Sequence, residues 1–170
     1  KILAEYIKTF IQKWIEHEVH LRTDHKLMLL NIMIENGLYK DVYTYFPPAR
    51  YENEYNIKTL SELVKLDENL AENYIEQIIN SNYQEKYNYP YYTILEKIYL
   101  NKNDKPKLAS LKKKKFEGNP NIEDFIFIEE NEIDKREFKK FRTKILGNLR
   151  RTFYANPKIS EVYFEILEHE

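Results

Sequence analysis

Residues 26–46 read "KLMLLNIMIENGLYKDVYTYF", and this stretch decides the fold class. Its first ten positions are apolar on nearly every side of a helix, which predicts a helix in the centre of a core. Asn36-Gly37 is a typical stop signal, because glycine takes the left-handed conformation at little cost. "LYKDVYTYF" then predicts a short helix that ends at Pro47-Pro48. The stretch therefore predicts two helices joined by a tight turn.

Similar helix signals flank this pair on both sides. Leu3, Ile7, Phe10, Trp14 and His17 follow alternating four- and three-residue spacing, which predicts an amphipathic first helix. Further helices are predicted at 57–65, 67–82, 90–100, 134–154 and 159–170. No fixed period of a helical repeat family recurs. The expected fold is mainly α, either an irregular multi-helix bundle or short helix pairs of the α-solenoid kind.

Charge is sorted into blocks along the second part of the chain. Residues 101–115 hold seven lysines and one acid, 117–134 hold seven acids and no base, and 135–151 hold eight bases and one acid. The turn signal "FEGNPN" lies between "KKKKF" and "DFIFI", which suggests a small β-hairpin near 112–129. The predicted organisation is a helical domain over 1–100, a charged connector or hairpin over 101–134, and a C-terminal helix pair over 135–170 that packs on the first domain.

Composition excludes several classes of protein. The chain has 170 residues, a net charge of −1 and no cysteine, so disulfides, thiolate metal sites and cysteine nucleophiles are absent. Three isolated glycines cannot form a phosphate-binding loop, and none of the four serines lies in a nucleophile elbow. No apolar run of membrane-spanning length and no signal-peptide pattern occurs. We expect a soluble, intracellular protein, cytoplasmic by default, without a cofactor.

The stretch "IEHEVHLRTDH", residues 15–25, holds three of the four histidines. His17, His20 and His25 are candidate zinc ligands, since imidazole with nearby carboxylates suits that metal. The spacing is one residue short of HExxH, so the metalloprotease geometry fails. His17 continues the apolar line after Trp14, which favours a partly buried packing residue. The alternatives are a metal site, a pH-sensitive contact and the polar corner between two helices, and the last is favoured.

One basic helix is predicted near the C-terminus. Phe138, Phe141, Ile145 and Leu149 share one face at 100° per residue. The opposite face carries four basic residues, Arg136, Lys140, Lys144 and Arg151. Such a row can follow the phosphates of a nucleic acid. The alternative is a solvated face neutralised by the acidic residues 117–134.

Six tyrosines in two predicted loops are candidate partner contacts, because tyrosine combines a large ring with a polar tip. They are Tyr45, Tyr51, Tyr55, Tyr87, Tyr89 and Tyr91. The sequence thus favours a non-enzymatic helical module that binds a protein through these tyrosines and the charged connector. Nucleic-acid binding through the basic helix 135–151 is the alternative, and a metal-dependent enzyme is the second alternative. The sequence assigns no oligomeric state.

Overall fold

The computed structural model describes residues 2–17, 22–45, 47, 53–82 and 84–169. In these ranges the chain forms α-helices and three short 3-10 turns, and no strand. The helices are α1 (Ile2–His17), α2 (Thr23–Glu35), α3 (Val42–Tyr45), α4 (Asn53–Leu66), α5 (Glu68–Ser81), α6 (Tyr89–Asn101), α7 (Lys105–Phe116), α8 (Ile122–Asn131), α9 (Lys135–Thr152) and α10 (Pro157–Glu168). The prediction of a mainly α, multi-helix fold is confirmed.

The chain divides into two compact units, Lys1–Ile94 and Leu95–Glu170, and the boundary falls within α6. This division differs from the predicted boundaries at residues 100 and 134. Residues 101–134 include α7, α8 and the turns beside them, and they belong to the second unit; a charged connector or hairpin was expected there. The packing of 135–170 on the first domain stays a prediction.

In the first unit α4 packs against α5 and α2, and α1 packs against α3. Leu29, Leu30 and Met33 on α2 are fully buried, as the opening stretch predicts for a central helix. The turn after α2 follows from Gly37, whose φ of 71° lies in the left-handed region. Asp67 caps α5 as predicted, since its carboxylate accepts a hydrogen bond from the Leu70 amide at 3.0 Å.

Helix α1 buries only part of its apolar surface. Ile7 and Ile11 are buried, whereas the side chains on the neighbouring face are exposed: Leu3 by 63%, Tyr6 by 71% and Phe10 by 45%. We call Leu3, Tyr6 and Phe10 the α1 strip. Of the predicted line, Ile7 is buried and Trp14 half-buried, whereas Leu3, Phe10 and His17 are exposed. The apolar surface of α1 is wider than the face that its neighbours cover.

The β-hairpin suggested near 112–129 does not form, because these residues belong to α7 and α8, which pack against each other. Asn121 starts α8 by accepting a hydrogen bond from the Asp124 amide at 2.7 Å. Phe125 and Ile128 then lie three residues apart on one buried helix face. They join a core with residues of α7, α9 and α10, namely Phe116, Phe138, Ile145, Leu149, Val162 and Ile166.

Candidate functional site

Three of the six lysines of α7 are paired with carboxylates within the second unit. Their ammonium groups pair with carboxylates of α6, α8 and the residue after α8, and the side chains on both sides are mostly covered. The pairs are Lys112–Asp124, Lys113–Glu132 and Lys115–Glu96. The hydrogen bond from Lys113 lowers the pKa of Glu132 below its ordinary value, so this carboxylate is charged at neutral pH. Two of these carboxylates, Asp124 and Glu132, belong to the acidic segment 117–134, whose neutralisation of the basic helix was the alternative to nucleic-acid binding.

Helix α9 places its apolar and basic residues on opposite faces. Asp134 caps the helix by accepting hydrogen bonds from the amides of Arg136 and Glu137. Phe138, Ile145 and Leu149 are buried on the inner side. The outer side is solvent-exposed and carries the four predicted basic residues together with two more, Arg136, Lys139, Lys140, Lys144, Arg150 and Arg151. We call these six residues the α9 face.

Two members of the α9 face are paired with carboxylates, and both pairs are open to solvent. Lys140 Nζ lies 2.7 Å from Glu137 Oε1 in an intrahelical pair, with the lysine side chain 75% exposed. The hydrogen bond that Lys140 donates to the Glu137 carboxylate raises the pKa of Lys140 and keeps its ammonium group protonated. Lys144 pairs with Glu117. The remaining members form no ion pair with any residue in the described ranges, so most of the positive charge of this face is available.

The α9 face is long enough to contact several charges of a polymer. The 18 residues of helix α9 span about 27 Å along the helix axis. Five of them line a shallow depression near the start of the helix, namely Arg136, Lys139, Lys140, Thr143 and Lys144. At 100° per residue, Lys139 lies on the flank of the helix between Phe138 and the outer row of Arg136, Lys140 and Lys144. Its position three residues after Arg136 and four before Thr143 is the signal that places it on this depression.

The six candidate tyrosines do not form one surface. Tyr55 and Tyr91 are buried, with 0% and 1% exposure, so neither can contact a partner in the folded chain. Tyr45 and Tyr87 are half-buried and Tyr89 is exposed, while Tyr51 lies outside the described residues. Tyr55 and Tyr91 were expected in loops, but they lie within α4 and α6, whose inner faces bury their rings. This part of the predicted contact surface is therefore corrected.

The histidine stretch shows no metal site in the part of the chain that the structure describes. There, no group of three or more potential ligands is close enough to hold an ion. His17 is exposed at the end of α1, which corrects its expected role in packing. The half-buried His25 lies 6.2 Å from Trp14, measured between ring centroids. His20 lies outside the described residues.

Comparisons with known proteins give no family to which the chain can be assigned. No protein-family model matches it, and neither a curated protein nor a solved structure does. Among the described helices, none combines the length and the apolar character that crossing a membrane requires. The geometry of the α9 face is thus the main guide to function.

Proposed function

We propose that the protein is a binding module that holds nucleic acid through the α9 face. The observation that carries this proposal is the contrast between two basic helices in one unit. On α7, Lys112, Lys113 and Lys115 are held in internal ion pairs. On the α9 face, all six basic residues are exposed, and four of them form no ion pair with any residue in the described ranges.

A continuous cationic row favours a polyanion over a small anion. Binding of a nucleic acid to such a row releases condensed counterions, which is the main source of sequence-independent affinity. Residues 95–170 hold 17 basic and 14 acidic residues, a formal charge of +3, although the whole chain carries −1. The charge that attracts a phosphate backbone is therefore concentrated in the second unit.

The affinity for nucleic acid is expected to fall steeply with salt. Contact with about four to six phosphates gives a slope of log K against log salt of about −3 to −5, which is a loss of roughly 10²- to 10³-fold between about 50 and 200 mM. The double variant Lys140→Glu/Lys144→Glu should bind at least about tenfold more weakly and with a shallower slope. Fluorescence anisotropy with a labelled oligonucleotide measures both quantities.

The double variant Lys58→Glu/Lys65→Glu is a matched control in the first unit. It makes the same change in net charge, and Lys65–Glu62 has the same three-residue spacing and 2.7 Å distance as Lys140–Glu137. Lys58 and Lys65 are likewise exposed on a helix. Equal weakening by both double variants would show that only total charge matters. Absence of binding at low salt would remove the proposal.

A protein partner is the second candidate, and the α1 strip is the observation that favours it. Three large apolar side chains in neighbouring helical turns are exposed there. Exposed apolar surface of this kind often marks a contact with another protein. The tyrosine loops contribute less than expected, because Tyr55 and Tyr91 are buried.

For this candidate, the double variant Tyr6→Lys/Phe10→Lys is expected not to recover the partner proteins that the wild type recovers by affinity capture. A charged ammonium group placed in an apolar contact would remain desolvated and unpaired. Thr9→Lys/Gln12→Lys is the control, because Thr9 and Gln12 are exposed on the same helix and the added charge is the same. If both variants recover the same proteins as the wild type, the α1 strip is not the contact.

A further inference from the structure

A cavity of about 270 Å³ opens beside the C-terminal half of α9. It lies between the turn that joins α7 to α8, the last two turns of α9 and the first turn of α10, all within the second unit. The cavity is smaller than the roughly 300–1,000 Å³ of sites for drug-sized ligands. Its size suits a single ring system.

The lining of the cavity is apolar at the base and amide-rich at the rim. Phe116, Ile145 and Leu149 are buried core residues that reach the cavity from below. Asn119 and Asn148 lie at the rim, and their side-chain amides form no hydrogen bond with any residue in the described ranges. Each amide offers two donors and one acceptor oxygen. This combination suits a flat, uncharged ligand with donors and acceptors along its edge.

The surroundings of the cavity are cationic. Arg151 lies one helical turn after Asn148 and belongs to the exposed α9 face. Lys158 lies at the rim, and so does Glu117, whose carboxylate is paired with Lys144. An uncharged planar group that is attached to an anionic chain therefore fits both the cavity and its edge. A nucleobase on a phosphate backbone has this chemistry.

An exposed tyrosine ring adds an independent observation. Tyr154 is 96% exposed, and it lies between the cavity-lining residues Thr152 and Asn156. Phe153 supports the ring from one side, with 5.2 Å between the ring centroids, and Phe153 itself contacts Tyr163 and Phe164. Exposed aromatic rings beside a basic track are the stacking platforms of proteins that bind single strands.

We propose that the cavity receives one unpaired base of a single-stranded nucleic acid, while a neighbouring base stacks on Tyr154 and the phosphates follow the α9 face. This inference rests on the proposed function and deepens it, because it names a single strand as the ligand. A duplex cannot supply the base without unpairing it.

The test compares a single-stranded oligonucleotide with the duplex of the same sequence, using fluorescence anisotropy and two variants. Tyr154→Ala and Asn148→Leu should each weaken single-strand binding about tenfold, since stacking and edge hydrogen bonds are lost. Neither should change duplex binding or the salt slope, because no phosphate contact is removed. Both residues are exposed, so the fold should be kept, and far-UV circular dichroism checks this.

Leu66→Ala and Asn73→Leu are the controls, because both residues are exposed on helices of the first unit and belong to no proposed site. They should leave binding unchanged. An abasic strand of the same length should bind the wild type more weakly than the normal strand binds Tyr154→Ala, because it lacks both the base of the cavity and the base that stacks on Tyr154.

The outcomes separate this inference from the proposed function. If Lys140→Glu/Lys144→Glu weakens binding while Tyr154→Ala and Asn148→Leu do not, the base site is overturned and the proposed function stands. If neither strand nor duplex binds the wild type, both fail. If an acidic peptide binds and loses affinity with Asn148→Leu while the single strand does not, the cavity is a peptide site and the inference is overturned.

Discussion

Phe125→Ala is expected to lower the free energy of unfolding of the second unit by about 3–5 kcal/mol, the usual cost of removing a buried phenyl ring. Phe125 is 2% exposed and lies 5.6 Å from the ring of Phe138 and 6.2 Å from that of His169. Its removal leaves a cavity between α8 and α9. Because the free energy of unfolding of a whole domain is only about 5–15 kcal/mol, this substitution removes a large part of the stability. Urea unfolding followed by circular dichroism measures it.

A second substitution tests the helical register of α8. Ile128→Ala should also be costly, by about 2–5 kcal/mol, because Phe125 and Ile128 share one buried face of a helix. In a β-strand the two residues would point to opposite faces, and one of the substitutions would cost little. Tyr154→Ala is the control, with an expected change within about 0.5 kcal/mol for an exposed ring. A small effect of either core substitution would contradict the packing of α8.

Tyr91→Phe is expected to destabilise the first unit by about 1–3 kcal/mol, although the ring remains in place. The Tyr91 hydroxyl donates a hydrogen bond to Asn53 Oδ1 at 2.9 Å and accepts one from Asn56 Nδ2 at 3.1 Å. Burial raises the pKa of Tyr91, so the hydroxyl keeps its proton at neutral pH. Without the hydroxyl, the buried Asn56 amide loses an acceptor. Thermal and urea unfolding report the loss.

Tyr89→Phe provides the comparison two residues away. The Tyr89 ring is exposed, so the change in stability should stay within about 0.5 kcal/mol. If Tyr91 were a surface contact for a partner, as the sequence suggested, Tyr91→Phe would leave stability as unchanged as Tyr89→Phe does. Equal stability of the two variants would therefore contradict the buried position of Tyr91.

Much of the helical architecture follows from local sequence. The caps at Asp67 and Asp134 could be predicted because a carboxylate precedes an apolar-periodic run in both places. The segment "IEDFIFIEEN" could not be assigned in this way. Its β-branched and aromatic residues favour a strand, but the Asn121 cap and the shared buried face of Phe125 and Ile128 place it in a helix. Tertiary packing overrides intrinsic preference in this segment.

Four of the six residues of the α9 face were predicted from spacing alone, because residues on one face of a helix recur every 3.6 residues. The choice of ion-pair partners could not be predicted. It depends on how α7 lies against α8, which brings Lys112 to Asp124 and Lys113 to Glu132.

The burial of Tyr55 and Tyr91 likewise depends on neighbours that are distant in sequence, such as Asn56 for Tyr91. The cavity beside α9 is lined by the α7–α8 turn, the end of α9 and the start of α10, so no single sequence motif could predict it.

The pairing of Lys112, Lys113 and Lys115 with nearby carboxylates has a kinetic consequence. Because these three charges are cancelled locally, the α9 face holds the largest group of exposed basic residues on one helix of the second unit. An approaching polyanion is drawn to that side and turned toward it before any contact forms, which raises the rate of productive encounters. Added salt should therefore slow association strongly, while the residence time of a base held in the apolar cavity should respond much less.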